Sequence, residues 1–197
     1  GLATPTAIMV GTGKGAESGI LIKSGEHLET AYKLNAIVLD KTGTITKGEP
    51  EVTDIKATGR LSDQEILRLA ASAEKKSEHP LAAAIYQHGL DALGQVPDPE
   101  KFEAIPGKGI TALVQDSEIL IGTRKLMKDK EIELGEIETT IREMEDEGKT
   151  AMLMAVDRSL EAVIAVADTL KEHALEAISE FNQMGLEVYM ITGDNLR

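Results

Sequence analysis

The chain has 197 residues, with 21 Lys and Arg against 34 Asp and Glu and a formal net charge of -13. A balance this acidic excludes a general nucleic-acid surface, which needs clustered cations, but leaves room for a local nucleotide site. Hydrophobic residues make up 42% and aromatic residues only 3%, so the core is aliphatic; no cysteine is present, which excludes disulfides and thiolate metal sites.

Four histidines, His27, His79, His88 and His173, are scattered without metal-ligand spacing. No apolar run reaches the ~18 residues of a membrane span. The chain does not begin with Met, and Gly1 reads as a cut from a longer protein.

From Gly1 to about Tyr32 the chain mixes small and apolar residues and becomes Gly-rich, which predicts a connector rather than a helix or strand. Ala36-Ile37-Val38-Leu39 is a strand pattern that delivers Asp40. Glu51 to Ile55 alternates with period two, a half-buried strand. Ser62 and Glu65 form a capping box for a helix with Ile66, Leu69, Ala70 and Ala73 on one face. Pro80 suits the first turn of a second helix carrying Leu81, Ala84 and Ile85. Gly89 to Pro99 reads as a polar linker.

Gly109–Val114 and Ile119–Ile121 predict a hairpin around residues 115–118. Ile137, Ile141 and Met144 mark a helix that stops at Gly148. Ala151–Val156 and Leu160–Ala167 are two strands joined by residues 157–159. Consecutive hairpins predict an antiparallel sheet with helices to one side. Glu172 to Met184 is a helix, Gly185 its C′ residue, and Leu186–Ile191 a strand ending at Thr192-Gly193-Asp194. The two ends of the chain therefore predict one parallel α/β domain, and the middle an antiparallel α+β insertion.

Asp40-Lys41-Thr42-Gly43-Thr44 carries the strongest chemical signal. A carboxylate at the C-terminal end of a buried strand stands where open α/β sheets bind ligands. A Gly turn after it can aim N–H groups at a phosphate, and the aspartate can carry a phosphoryl group as an acyl phosphate. Thr192 and Gly193, at a second strand end, are candidates to hold phosphoryl oxygens. Glu74 and His79 can recognise a purine, the carboxylate by accepting from an exocyclic amine and the imidazole by stacking or hydrogen bonding. Gly107-Lys108-Gly109-Ile110 is a Gly-x-Gly turn into a strand that lets a flat base approach the backbone. For each of the last three sites an ordinary cap or turn is the competing reading.

Together these motifs resemble the P1B-type heavy-metal-transporting ATPases, and within them the copper(I) pumps. Asp40 to Thr44 is similar to the phosphorylation motif, Ser77-Glu78-His79-Pro80 to the heavy-metal signature, Gly107-Lys108-Gly109 to the nucleotide-domain glycines, and Thr192 to Asn195 to a phosphorylation-domain turn. Gly1 to Thr6 resembles the stretch after the intramembrane Cys-Pro-Cys of copper(I) pumps.

The resemblance implies a partial haloacid-dehalogenase-like parallel α/β phosphorylation domain (residues 33–51 and 166–197) with an inserted antiparallel α+β nucleotide-binding domain (residues 52–165), behind a connector (residues 1–32). It implies Asp40 as the phosphorylated nucleophile, with Lys41, Thr42, Thr192, Gly193 and Asp194 around it. It implies Mg²⁺ on Asp40 and the Thr42 carbonyl, and ATP on Glu74, His79, Gly107, Gly109, Ile110 and Gly122. Asn is common in the family at position 123, where this chain has Thr123.

Expected partners are ATP, the membrane and actuator domains of the same parent and, through that parent, a copper chaperone, with no nucleic acid. The parent is expected in the cell membrane with this segment on the cytoplasmic side. The family's second Mg²⁺-ligating motif would lie beyond Arg197, so the chain alone is expected to bind ATP weakly and to turn it over poorly. The rival reading is a haloacid-dehalogenase-type phosphatase with an inserted cap. Thr42 speaks against it, because such phosphatases usually carry there an aspartate that speeds hydrolysis of the acyl phosphate. A nucleotide-binding module without chemistry is the third.

Overall fold

The computed structural model describes residues 3–192. The chain divides into two compact units, Gly1–Lys41 with Glu172–Arg197, and Thr42–Lys171.

In the first unit, α1 (Ala3–Glu17) and α2 (Gly25–Ala31) precede β1 (Ala36–Asp40), and α7 (Ala174–Gln183) precedes β8 (Glu187–Ile191). Helix α1 forms where neither a helix nor a strand was expected. Its Pro5 falls in the first turn, where the missing N–H costs nothing. Two of its glycines lie close to other residues: a Cβ on Gly11 would stand 3.2 Å from Leu28 Cδ2, and one on Gly15 3.4 Å from Ile22 Cδ1, whereas Gly13 faces open space. β1 and β8 pair in parallel. Gly185, at φ +82°, ends α7 as expected.

The second unit is built on a six-stranded antiparallel sheet in the order β2-β7-β6-β5-β4-β3. Its strands are β2 (Thr46–Ala57), β3 (Lys101–Ile105), β4 (Gly109–Val114), β5 (Ser117–Gly122), β6 (Thr150–Val156) and β7 (Ser159–Leu170). Two helices, α3 (Asp63–Glu74) and α4 (Pro80–Leu93), cover one face. There Ile66, Ala70, Ala73 and Ile85 meet Ile110, Ile121, Met154 and Ile164. The other two, α5 (Arg124–Asp129) and α6 (Ile137–Asp146), cover the opposite face, where Met127, Ile141 and Met144 meet Leu120, Leu153 and Val163.

This corrects the expectation of helices to one side. Strands buried on both faces read as continuous apolar runs, and Ala162–Val166, buried throughout, is such a run. Ala162, Ile164 and Val166 of β7 enter one core and Val163 and Ala165 the other, because side chains alternate along a strand.

Two element boundaries also differ. Gly89 lies inside α4 rather than in a linker; a Cβ there would come within 2.3 Å of Ala71 Cβ, so the glycine is what lets α3 and α4 touch. Helix α4 ends at Gly94, φ +73°. The two hairpin turns use positive φ without glycine, at Gln115-Asp116 and Asp157-Arg158, as tight antiparallel turns require. Among the described residues no helix is long and apolar enough to cross a membrane.

Candidate functional site

In the first unit, the parallel register sets Asp40 opposite Ile191. Thr192 therefore leaves its strand at the same sheet edge at which Asp40 leaves β1, and Asp40 is exposed there. This is the carboxyl end of a parallel pair, where βαβ units bind ligands. Lys41 follows, half-buried. Gly193 and Asp194 lie outside the described residues.

In the second unit, Thr42 (φ -74°, ψ 122°) and Gly43 (φ 73°, ψ -9°) have the dihedrals of the two central residues of a type II turn. That turn demands positive φ at its third position, which explains the glycine. The Gly43 N–H donates to Thr46 Oγ1 at 3.2 Å. Thr46 Oγ1 donates to Asp168 Oδ2 at 2.5 Å. Gly48 N–H donates to Asp168 Oδ1 at 2.9 Å, and Lys171 Nζ donates to the Gly43 carbonyl at 2.6 Å. Sequence reasoning singled out none of Thr46, Asp168 and Lys171. Thr46 and Asp168 stand 122 residues apart, and only the pairing of β2 with β7 joins them.

Glu74 and His79 flank the turn between α3 and α4. Glu74 is only 2% exposed, and its Oε2 has no hydrogen-bond partner among the described residues. Burial pushes its carboxyl up to about 7, against a smaller lowering by the Ser77 hydroxyl. An orphaned, buried acceptor is costly, and a ligand donor would relieve it. His79 is the N-cap of α4, its Nδ1 accepting from the Leu81 N–H at 3.2 Å. That bond leaves Nε2 as the N–H of the neutral ring. The cap reading of this turn is thus correct, and the ring edge bearing Nε2 is still available to a ligand.

The β4–β5 register sets Gly109 opposite Gly122. A Cβ on Gly109 would lie 2.1 Å from the Ile121 carbonyl oxygen, and one on Gly122 2.1 Å from that of Lys108. These two glycines allow backbone to meet backbone, a packing role. Gly107 differs: with φ +70° it is exposed and open around its Cα. Ile110 is buried in the core under α3 and α4. Lys108 is turned onto Asp129, Nζ to Oδ2 2.6 Å. Thr123 is the N-cap of α5 but makes no capping bond with its side chain.

Among the described residues no group of three His, Cys, Asp or Glu side chains could hold a metal. Mg²⁺ binds through one or two carboxylates plus substrate phosphates and water, so the single carboxylate of Asp40 suits it in kind.

A profile of the haloacid dehalogenase-like hydrolases matches residues 34–197. The chain belongs to that family. A copper-exporting P-type ATPase of Staphylococcus aureus (strain bovine RF122 / ET3-1) is 52% identical over 196 residues, 99% of this chain and 24% of that protein. One from strain JH9 is 51% identical over the same span. The chain thus spans about a quarter of the length of these curated relatives. A zinc-transporting PIB-type ATPase in the E2.Pi state aligns at TM-score 0.89 and 36% identity, covering 98% of this chain and 31% of that one. The catalytic domain of the CPx-ATPase CopB-B shares the fold, at TM-score 0.60 and 21% identity over 93% of this chain and 64% of that one.

Proposed function

We propose that this chain is the nucleotide-binding and phosphorylation segment of a copper(I)-exporting P-type ATPase. The observation that carries the reading is Asp40 at the carboxyl end of β1 beside the end of β8, in a chain half identical to copper exporters over nearly its whole length. Residues 33–51 with 166–197 serve phosphoryl transfer, and residues 52–165 serve nucleotide binding.

An Asp40 carboxylate oxygen attacks the γ-phosphorus of ATP in line. The bond from phosphorus to the β–γ bridging oxygen breaks, ADP leaves with that oxygen, and Asp40 carries an acyl phosphate. Lys41 supplies positive charge, and Thr192 and Gly193 supply donors, to the transferring oxygens, with Asp194 next in the chain. Asp40 and the Thr42 carbonyl would hold Mg²⁺, which neutralises phosphate charge when bound. Thr42 cannot act as a general base near neutral pH, so the acyl phosphate persists long enough for a conformational step.

Glu74 accepts from the adenine amine, His79 presents its ring to the base, and Gly107 gives backbone access, with Gly109, Ile110 and Gly122 forming the floor. The parent would sit in the cell membrane with this segment on the cytoplasmic side, working against its own membrane and actuator domains, and would receive copper from a chaperone.

Labelling a full-length protein that carries this segment with γ-labelled ATP tests the reading. Label should appear in an acid-stable, hydroxylamine-sensitive form and vanish in D40N. Label that persists in D40N, or none in the unmodified protein, refutes it.

A further inference from the structure

We propose that Thr46, Asp168 and Lys171 form a clasp that orients the Thr42–Thr44 backbone for phosphoryl transfer. These are positioning residues, and the proposal rests on the reading of Asp40 as the phosphorylated group.

The turn itself is exposed at Thr42, Gly43 and Thr44. Exposed loop backbone opens easily unless something holds it. Here Gly43 is held at both of its peptide groups. Its N–H goes to Thr46 Oγ1 at 3.2 Å. Its carbonyl takes the Lys171 ammonium at 2.6 Å. A third restraint is steric, since a Cβ on Gly48 would lie 3.1 Å from Gly43 Cα.

Peptide planarity turns these restraints into directions. The Gly43 N–H shares a trans peptide plane with the Thr42 carbonyl, so the two point opposite ways. Fixing the first on Thr46 fixes the second, the group assigned above to the cation. Likewise the Gly43 carbonyl shares its plane with the Thr44 N–H. Holding that carbonyl on Lys171 turns the Thr44 N–H away from the ammonium, as a donor for a phosphoryl oxygen.

The clasp has its own anchor. Thr46 is 2% exposed, so its hydroxyl has exchanged water for protein partners. With its lone pair taken by Gly43, its proton goes to Asp168 Oδ2, at 2.5 Å. A bonded chain of this kind has one polarity and strengthens along its length. The second carboxylate oxygen takes the Gly48 N–H at 2.9 Å. That N–H is turned out of the ladder by a register irregularity between Thr46 and Pro50 in the β2–β7 pairing. The Lys171 N–H donates to the Ile45 carbonyl at 2.9 Å, which seats the lysine where its ammonium reaches Gly43. The return strand of the insertion thus sets the geometry of the turn that follows Asp40 in the chain.

The test uses a full-length protein carrying this segment, with phosphorylation from γ-labelled ATP followed against Mg²⁺ and nucleotide affinity measured separately. T46V and K171M should slow phosphorylation about 10- to 100-fold, the usual cost of misplaced reacting groups. T46V should also raise the Mg²⁺ needed for half-maximal labelling. Kd for ATP should stay within about twofold in both. T46S, which keeps the hydroxyl, should restore the rate. Lys171 is exposed, so K171M decides the matter even if T46V fails to fold. Wild-type rates in K171M, or a fall in rate matched by an equal fall in ATP affinity, overturn the clasp. Label that survives in D40N overturns instead the reading on which the clasp rests.

Discussion

Replacing Glu74 by Gln isolates the cost of a buried, orphaned carboxyl. The side chain is 2% exposed, Oε2 has no partner among the described residues, and burial raises its pKa from 4.5 to about 7. Below pH 4.5 the carboxyl is protonated in both the folded and the unfolded chain. Between 4.5 and about 7 the unfolded chain releases this proton and the folded chain keeps it, so stability falls as pH rises. Above about 7 the loss is complete, and a shift of that size corresponds to about 3 kcal/mol. Gln has nearly the shape of the protonated acid and does not titrate. Relative to wild type, E74Q should therefore gain stability from pH 5 to about pH 7 and level off above it, by roughly 6–12 °C in melting temperature for a chain of this size. Thermal and urea unfolding at pH 5, 6, 7 and 8 without nucleotide measures it. Other titrating groups are common to both proteins and cancel. Parallel curves across this range would refute the assignment of the raised pKa to burial of Glu74.

Three further outcomes follow from side-chain contacts. H79N keeps an N-cap acceptor for the Leu81 N–H but loses the ring, so ATP affinity should fall while the melting temperature holds; H79A should lose about 1 kcal/mol of stability as well, and unchanged ATP affinity in both would remove His79 from the nucleotide site. G122A drives a Cβ to 2.1 Å from the Lys108 carbonyl oxygen and should destabilise by about 3 kcal/mol or more, whereas G107A meets open space at φ +70° and should cost about 1 kcal/mol; similar urea midpoints for the two variants would contradict the backbone-contact account of Gly122. Arg124 binds Glu145 at 2.7 and 3.0 Å and Glu138 at 3.1 Å, so R124Q should cost about 1 kcal/mol at low ionic strength and less in 1 M salt; a penalty unaffected by salt would point to packing instead.

The sequence alone determined the local features. Asp40 ends a strand because Ala36–Leu39 is apolar and the polar Gly turn cannot continue it. Gly43 is obligatory because the turn needs positive φ at that place. Ser62, Pro80 and Gly185 mark helix ends through hydrogen-bonding and dihedral preferences that act within a few residues. Tertiary structure decided what depends on contacts between distant residues. Periodicity could not reveal that the middle sheet is covered on both faces, because a strand buried twice loses the alternation that marks a face. Gly11 of the first helix reads as a breaker, yet it is where Leu28 of the neighbouring helix approaches. Gly107, Gly109 and Gly122 read alike as nucleotide glycines, and only the register of two strands separates an open turn from a backbone contact. Thr46, Asp168 and Lys171 were silent in the sequence because a hydroxyl, a carboxylate and an ammonium become a clasp only when two strands over a hundred residues apart lie side by side.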